Sequence, residues 1–185
     1  MEMLVPPHRI HLFGASGSGT STLGKLLAGR LGVEHFDADD YYWQRTDPPY
    51  TVKNPPAQRV RLLLADMAPT DAWVLSGSVV SWGDAFIPRF SVAVLVSVPH
   101  EARMQRLRLR EKERYGARIE AGGDMHEHSR AFLAWAAQYD RAGVEMRSRA
   151  AHEQWLRRLA CPVVRVCNDG PPAEVAEDVL RLITN

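Results

Sequence analysis

Residues 14–22, with the sequence GASGSGTST, place three glycines in one short segment near the amino terminus and restrict the possible folds most strongly. The apolar run His8–Phe13 before this segment predicts a strand, and the leucines of Thr20–Leu31 recur at helical spacing. Glycines let successive backbone N–H groups converge without clashes of Cβ atoms, and the start of a helix adds a partial positive charge. A strand, this turn and a helix therefore predict a loop that binds phosphate groups.

The segment matches the phosphate-loop pattern G-x-x-x-x-G-K-[ST] at every fixed position except the lysine, which is replaced by Thr20. Ser21 stands where a hydroxyl coordinates Mg²⁺. Threonine supplies a hydroxyl but no charge, and Lys25 lies more than a turn into the helix, where it would point away from the phosphates. The candidate nucleotide-binding residues are Gly14, Ala15, Ser16, Gly17, Ser18, Gly19, Thr20, Ser21 and Thr22.

Short apolar runs and amphipathic stretches alternate along the rest of the chain. Further strands are predicted at Val33–Asp37, Trp73–Ser78, Val92–Val98 and Pro162–Val166. Further helices are predicted at Pro56–Met67, from Pro99 to about Arg114, and at Ala173–Ile183. Strands separated by helices imply right-handed crossovers and a parallel sheet, so the 185 residues are predicted to form one α/β domain, 1–185.

Two carboxylates end the second predicted strand. Asp37 and Asp39 are two positions apart, so they would share a side if the extended conformation persisted. Ligands of open parallel sheets bind at the carboxyl ends of the strands, where one carboxylate can hold a Mg²⁺ water and the other can orient a substrate hydroxyl. A solvated acidic turn is the alternative interpretation.

A third group of candidates is an arginine-rich helix and the glycine-containing turn that follows it. Arg103, Arg106 and Arg110 recur on one helical stripe, and Arg118 follows in the turn. Arginine suits bidentate contacts with phosphate, and a lid that closes over a triphosphate would bring such charges to it. Arg106, Arg110, Arg114 and Arg118 are the phosphate candidates, with Arg141, Arg147 and Arg149 in reserve. The alternative is a solvated face paired with Glu111 and Glu113.

The loop, Phe36–Asp39 (FDAD), Val74–Gly77 (VLSG) and Val98–Leu107 (VPHEARMQRL) together resemble the nucleoside monophosphate kinase superfamily, which includes adenylate, cytidylate, shikimate and gluconate kinases. The resemblance implies a three-layer α/β/α P-loop NTPase fold with a five-stranded parallel sheet in the order 2-3-1-4-5. It also implies a substrate-binding segment at about 38–68 and a helical, arginine-bearing lid at about 111–127. The threonine-bearing loop is similar to that of an uncharacterised bacterial branch of this superfamily.

The same resemblance implies ATP and Mg²⁺ as cofactors, and transfer of the γ-phosphoryl group to a small nucleotide-like, sugar or hydroxy-acid acceptor. It implies that Asp37 and Ser21 lie at the metal, that Asp39 contacts the substrate, and that Arg110 and Arg118 act as catalytic cations. Because Thr20 replaces the lysine, a nucleotide-binding regulatory protein with impaired catalysis is the alternative function.

Composition gives no reason to expect a nucleic-acid or membrane partner. The formal net charge is +1, and no run approaches the roughly 18 apolar residues of a membrane span. Met1–His8 lacks the pattern of a signal peptide, and only two cysteines, Cys161 and Cys167, are present. We therefore expect a cytoplasmic monomer or homodimer whose partner is a small-molecule phosphate acceptor.

Overall fold

The computed structural model describes residues 8–184 of the chain. A parallel sheet of five strands forms its centre, in the order β2-β3-β1-β4-β5, as the sequence resemblance implies. The strands are β1 Arg9–Gly14, β2 Glu34–Asp37, β3 Trp73–Ser76, β4 Val92–Ser97 and β5 Val163–Cys167. The prediction that no signal peptide begins the chain lies almost entirely outside the described residues.

Seven α-helices and two 3-10 helices connect and flank these strands within the described range. The α-helices are α1 Thr20–Leu31, α2 Ala38–Tyr42, α3 Pro56–Met67, α4 His100–Tyr115, α5 His126–Ala137, α6 Arg149–Leu156 and α7 Pro172–Thr184. The 3-10 helices are Asp84–Arg89 and Gly116–Ile119. Within residues 8–184, no helix combines the length and apolar character needed to cross a membrane.

The core has two apolar layers, one on each face of the sheet. Ile10 and Leu12 of β1 point to one face, where they pack with α1 and α7. Phe13 points to the other face and packs with residues of α3 and α6. Alternate strand residues thus fill both layers, as expected for a parallel sheet covered on both sides. This packing fixes the carboxyl ends of β1, β2 and β3 at one edge of the sheet.

Two segments differ from the sequence prediction. The extended conformation that would place Asp37 and Asp39 on one side does not persist, because the chain turns at Ala38 into α2. The third strand was predicted to continue to Ser78, but it ends at Ser76 because Gly77 takes φ 91°, a left-handed conformation. A Cβ atom at Gly77 would lie 2.9 Å from the Cβ atom of Ala38, so this glycine also makes room for α2.

Candidate active site

The glycine-rich segment forms a compact loop from the end of β1 to the first turn of α1. Gly17 and Gly19 both take φ 83°, and α1 begins at Thr20. No side chain caps α1 and no acidic residue lies in its first turn. The backbone N–H groups of residues 16, 17 and 19–22 have no acceptor within residues 8–184. Free amides at the positive end of a helix are the donors that an anionic polyphosphate requires.

Neighbouring elements hold this loop tightly on two sides. A Cβ atom at Gly14 would lie 2.2 Å from the carbonyl oxygen of Val96, so the loop leaves the sheet against β4 without room for a side chain. The Asn168 side-chain amide donates to the Ser18 carbonyl at 2.8 Å, and the Arg106 guanidinium donates to the Asn168 carbonyl at 2.9 Å. Asn168 is the first residue of the segment that follows β5. The loop, α4 and this segment therefore meet at one place.

Asp37 and Asp39 lie close together, but not in the predicted way. The extended conformation ends at Asp37, and the Asp37 carboxylate accepts a hydrogen bond from the Asp39 N–H at 3.0 Å, capping α2. Asp39 therefore projects from the first turn of a helix. The cap fixes Asp37 at the carboxyl edge of the sheet and orients the helix that carries Asp39.

Asp39 lies in a cavity of about 640 Å³ that also reaches Ser16 of the glycine-rich loop. The cavity is bounded by the loop, the segment after β2, α4, α5 and the turn before α6. Its charged lining residues are Asp39, Lys53, Arg110, Glu111, Arg114, Glu145 and Arg147. Its aromatic lining residues are Tyr42, Trp43, Tyr50, Tyr115, Phe132 and Trp135.

The electrostatics of the cavity centre on Asp39. Its side chain is open to solvent in the cavity, but the surrounding walls displace much of the bulk water, and this desolvation raises the pKa of the carboxyl. The charge of Asp37 also raises it, while Arg147, Arg110 and Arg114 oppose the rise. Desolvation, followed by the charge of Arg114, lowers the pKa of the Arg110 guanidinium. One carboxylate thus faces three guanidinium groups.

The structure divides the predicted arginines into different roles. Arg103 is 1% exposed and donates to the Ala136 carbonyl at 2.9 Å, so it joins α4 to α5 and does not face the cavity. Arg106 lies against Asn168, and Arg110 and Arg114 line the cavity. Arg118 lies outside the lining, where its guanidinium pairs with Asp47 and Asp124.

Two cavity residues were not leading candidates from the sequence. Arg147, held in reserve in the sequence analysis, enters from the turn before α6 and is the first cation acting on the pKa of Asp39. Glu111 was considered only as a surface partner for arginines, but it is 2% exposed and lines the cavity. Helical spacing is the signal that could have found Glu111, because Arg114 lies three positions after Glu111 and four after Arg110, so it can meet both side chains.

The residues at the loop suit magnesium better than a metal held by protein alone. Within residues 8–184 there is no group of three or more His, Cys, Asp or Glu that could hold a metal ion. Mg²⁺ in phosphate-transfer sites keeps several waters and uses one or two protein oxygens together with the phosphates. The free amides of the loop are hydrogen-bond donors of the kind that phosphate oxygens need, and the Ser21 hydroxyl and the Asp37 carboxylate are oxygen donors of the kind that this ion prefers.

Comparison with known proteins gives a clear relative. The chain is 43% identical over 176 residues to the uncharacterised protein YqaC of Bacillus subtilis, covering 95% of this chain and 97% of that one. The chain belongs to the YqaC family. No established protein-family model matches it. That the chain belongs to a branch marked by threonine in place of the loop lysine stays a prediction.

Comparison with solved structures shows that this chain has the same fold as known P-loop kinases. A shikimate kinase from Bacteroides thetaiotaomicron is 18% identical, with a TM-score of 0.56 over 95% of this chain and 98% of that one. A gluconokinase from Sinorhizobium meliloti is 19% identical, with a TM-score of 0.51 over 96% and 91% of the two chains. The implied fold and strand order are therefore confirmed.

Proposed function

We propose that this protein transfers the γ-phosphoryl group of ATP to a small-molecule acceptor in the presence of Mg²⁺. The observation that carries the proposal is that the loop of free amides and a group of charged side chains border one cavity. Ser16 of the amide-lined loop borders the same cavity as Asp39, Arg110 and Arg147. A donor site for phosphate and a site for a hydroxyl-bearing acceptor are thereby adjacent. The solved neighbours that act as shikimate kinase and gluconokinase support the same assignment.

In the proposed reaction, the acceptor hydroxyl oxygen bonds to the γ-phosphorus while the bond between that phosphorus and the β-phosphate oxygen breaks, releasing ADP. Asp39 orients the hydroxyl and takes its proton, a role helped by the raised pKa of the carboxyl. The loop amides hold the β-phosphate, and Ser21 and Asp37 would hold magnesium. When bound, the metal neutralises negative charge on the phosphate oxygens.

The charge that a loop lysine would supply comes, in this proposal, from Arg110 and Arg147. Both line the cavity, and both act on Asp39 from different elements, α4 and the turn before α6. Preorganised cations in a partly desolvated site stabilise charge more than they do in bulk water. Lys25 is exposed, and its charge acts on His35 and Asp40, away from the cavity lining. The predicted role of Arg118 as a catalytic cation requires that its ion pairs with Asp47 and Asp124 break.

The test is transfer of label from γ-labelled ATP across nucleosides, nucleoside monophosphates, sugars and hydroxy acids. We expect the wild-type protein to label one class and Asp39→Asn to abolish transfer while the affinity for MgATP is retained. Asp40→Asn is the matched control, because Asp40 lies next along α2, is exposed and does not line the cavity. Equal transfer by wild-type protein and Asp39→Asn would contradict the assignment of Asp39.

Thr20 favours a second candidate function, nucleotide binding without transfer. In that case closure over MgATP would act as a signal. Replacement Thr20→Lys separates the two candidates: in a kinase, the new cation should change the rate of label transfer by tenfold or more. In a protein that only binds, no acceptor is labelled before or after the substitution, although calorimetry detects MgATP.

A further inference from the structure

Glu111 is a buried carboxylate on α4. Its side chain is 2% exposed and borders the cavity. The Oε1 atom lies 3.7 Å from Nη1 of Arg114, one turn along α4. The Oε2 atom is buried and has no hydrogen-bond partner within the described part of the chain. Such an atom is rare in folded proteins and requires an explanation.

Burial of an unsatisfied carboxylate oxygen destabilises a protein, so stability alone does not account for Glu111. The contact with Arg114 exceeds hydrogen-bond distance, and the Arg114 guanidinium also stacks on the Tyr50 ring, with its Cζ atom 3.7 Å from the ring centroid. A buried carboxylate oxygen without a donor has lost its hydrogen bonds to water and gained none in exchange, which destabilises the folded protein. A ligand that supplies the missing donor would recover this cost.

We propose that Glu111 determines the specificity of the acceptor site by accepting, through Oε2, a hydrogen bond from an O–H or N–H group of the acceptor. This inference rests on the proposed function, since it concerns the molecule that receives the phosphoryl group. The O–H or N–H group that donates to Glu111 is a second group of the acceptor, distinct from the hydroxyl that Asp39 orients.

The charges around Glu111 define the rest of the acceptor. Arg110, Arg114, Arg147 and Lys53 line the same cavity, against Asp39, Glu111 and Glu145. The proposed function assigns Arg110 and Arg147 to the triphosphate. The two remaining cations, Arg114 and Lys53, favour an acceptor that carries an anionic group. The predicted class is therefore a small anion with two hydrogen-bond donors. Sugar acids and nucleoside monophosphates share this chemistry, and the experiment distinguishes them.

The experiment measures binding and transfer separately, in the presence of MgATP. The probes are sugar acids and nucleoside monophosphates, each with a counterpart whose second donor is methylated, and binding is measured by saturation-transfer NMR and calorimetry. We expect one probe class to bind at least tenfold more tightly than its methylated counterpart. We expect Glu111→Gln to weaken this preference, because a neutral amide oxygen accepts a weaker hydrogen bond than a carboxylate oxygen does, without changing the affinity for MgATP.

Glu113→Gln is the matched control, since Glu113 lies on the same helix, is exposed and does not border the cavity. It should keep the wild-type preference. A preference unchanged in Glu111→Gln, or the absence of any binding by the donor-bearing anions while MgATP still binds, would overturn the inference. Binding with the expected preference but no label transfer would overturn the proposed kinase function and leave the assignment of Glu111 intact.

Thermal unfolding without ligand gives a second readout. If Glu111 serves the ligand, Glu111→Gln should unfold at the same temperature as the wild-type protein or higher, because it removes a buried charge. If Glu111 is instead a structural partner of Arg114, the variant should unfold at a clearly lower temperature, which would contradict the inference.

Discussion

Asp39 combines two properties at the scale of one residue, a raised pKa and a position among three arginines. The rise comes first from desolvation in the cavity, and the cations only partly cancel it. The carboxyl must nevertheless be ionised to accept a proton. We therefore expect a base that works near neutral pH. On acidification it should become protonated, and lose its function, at a higher pH than an ordinary aspartate would.

We predict that log kcat/KM for the acceptor falls on acidification at a pH above the roughly 4 of an ordinary aspartate. The folded protein also holds this proton to a higher pH than the unfolded chain does. Asp39 therefore favours folding below pH 3.8 and loses this contribution as the pH rises through its folded-state pKa. Asp39→Asn should consequently unfold at neutral pH no more easily than the wild-type protein. An acid limb at or below pH 4, with intact MgATP binding, would contradict the prediction.

At the scale of the element, α1 carries two interior glycines in different surroundings. A Cβ atom at Gly24 would lie 2.7 Å from Nε2 of His35 and 2.9 Å from Cβ of Ser76. A Cβ atom at Gly29 would have nothing within 4 Å. The helix that carries the phosphate loop is therefore packed closely onto β2 and β3 at Gly24, while Gly29 faces solvent.

The two glycines give a matched pair of substitutions. Gly29→Ala should stabilise the protein by about 0.5–1 kcal/mol, because alanine is the better helix former and meets no obstacle. Gly24→Ala gains the same propensity but should destabilise the protein by about 1–3 kcal/mol through overpacking, since it disturbs the hydrogen bond between His35 and Ser76. Urea unfolding of both variants measures the difference. A stabilised Gly24→Ala would show that α1 is packed less closely.

At the scale of the whole molecule, His152 joins three parts of the chain. Its Nε2 and Nδ1 atoms lie 3.0 Å from the Ser78 hydroxyl and 2.8 Å from the Tyr139 hydroxyl, and its ring packs edge-on against Phe13 of β1. Burial lowers the pKa of His152 to about 3. The turn after β3, the end of α5 and the helix α6 are thus held together by a neutral histidine.

We predict that this histidine makes the fold sensitive to acid. Below pH 6.5 the unfolded chain binds a proton at His152 and the folded chain does not, so its contribution to stability is present above pH 6.5 and is lost as the pH falls toward about 3. The loss should be about 1.4 kcal/mol for each pH unit. In His152→Gln, the free energy of unfolding should decline less steeply between pH 6.5 and pH 4.5. Parallel slopes in the two proteins would contradict the prediction.

The predicted lid and the predicted substrate-binding segment contact each other across the cavity. The Tyr115 hydroxyl donates to the Pro49 carbonyl at 2.8 Å, and Nη1 of Arg118 lies 3.0 Å from Oδ1 of Asp47. Beside these contacts, Arg114 stacks on Tyr50, and both residues line the cavity.

We predict that Arg118→Ala loosens this contact. Amide hydrogen exchange in residues 45–53 should become faster, while global stability changes little, because exposed ion pairs contribute weakly to folding. Arg130→Ala is the control, since it removes a pair with Glu127 that lies within α5 alone. Equal exchange rates in wild-type protein and Arg118→Ala would show that this ion pair does not hold the segment.

The sequence by itself determined the parallel sheet and the place of the glycine-rich loop between β1 and α1. The glycine pattern of residues 14–22 and the alternation of apolar runs with amphipathic stretches are local features, and they predicted the phosphate loop and the sheet. Only the tertiary structure decided which charged residues share a cavity. Arg103 and Arg110 lie on one predicted stripe, yet one is buried against α5 and the other faces Asp39. Arg147 reaches the cavity from a distant turn, and Glu111 is buried there. Helical spacing shows which side chains share a face of a helix, but burial and pairing depend on which other elements pack against that face, and those contacts are distant in sequence.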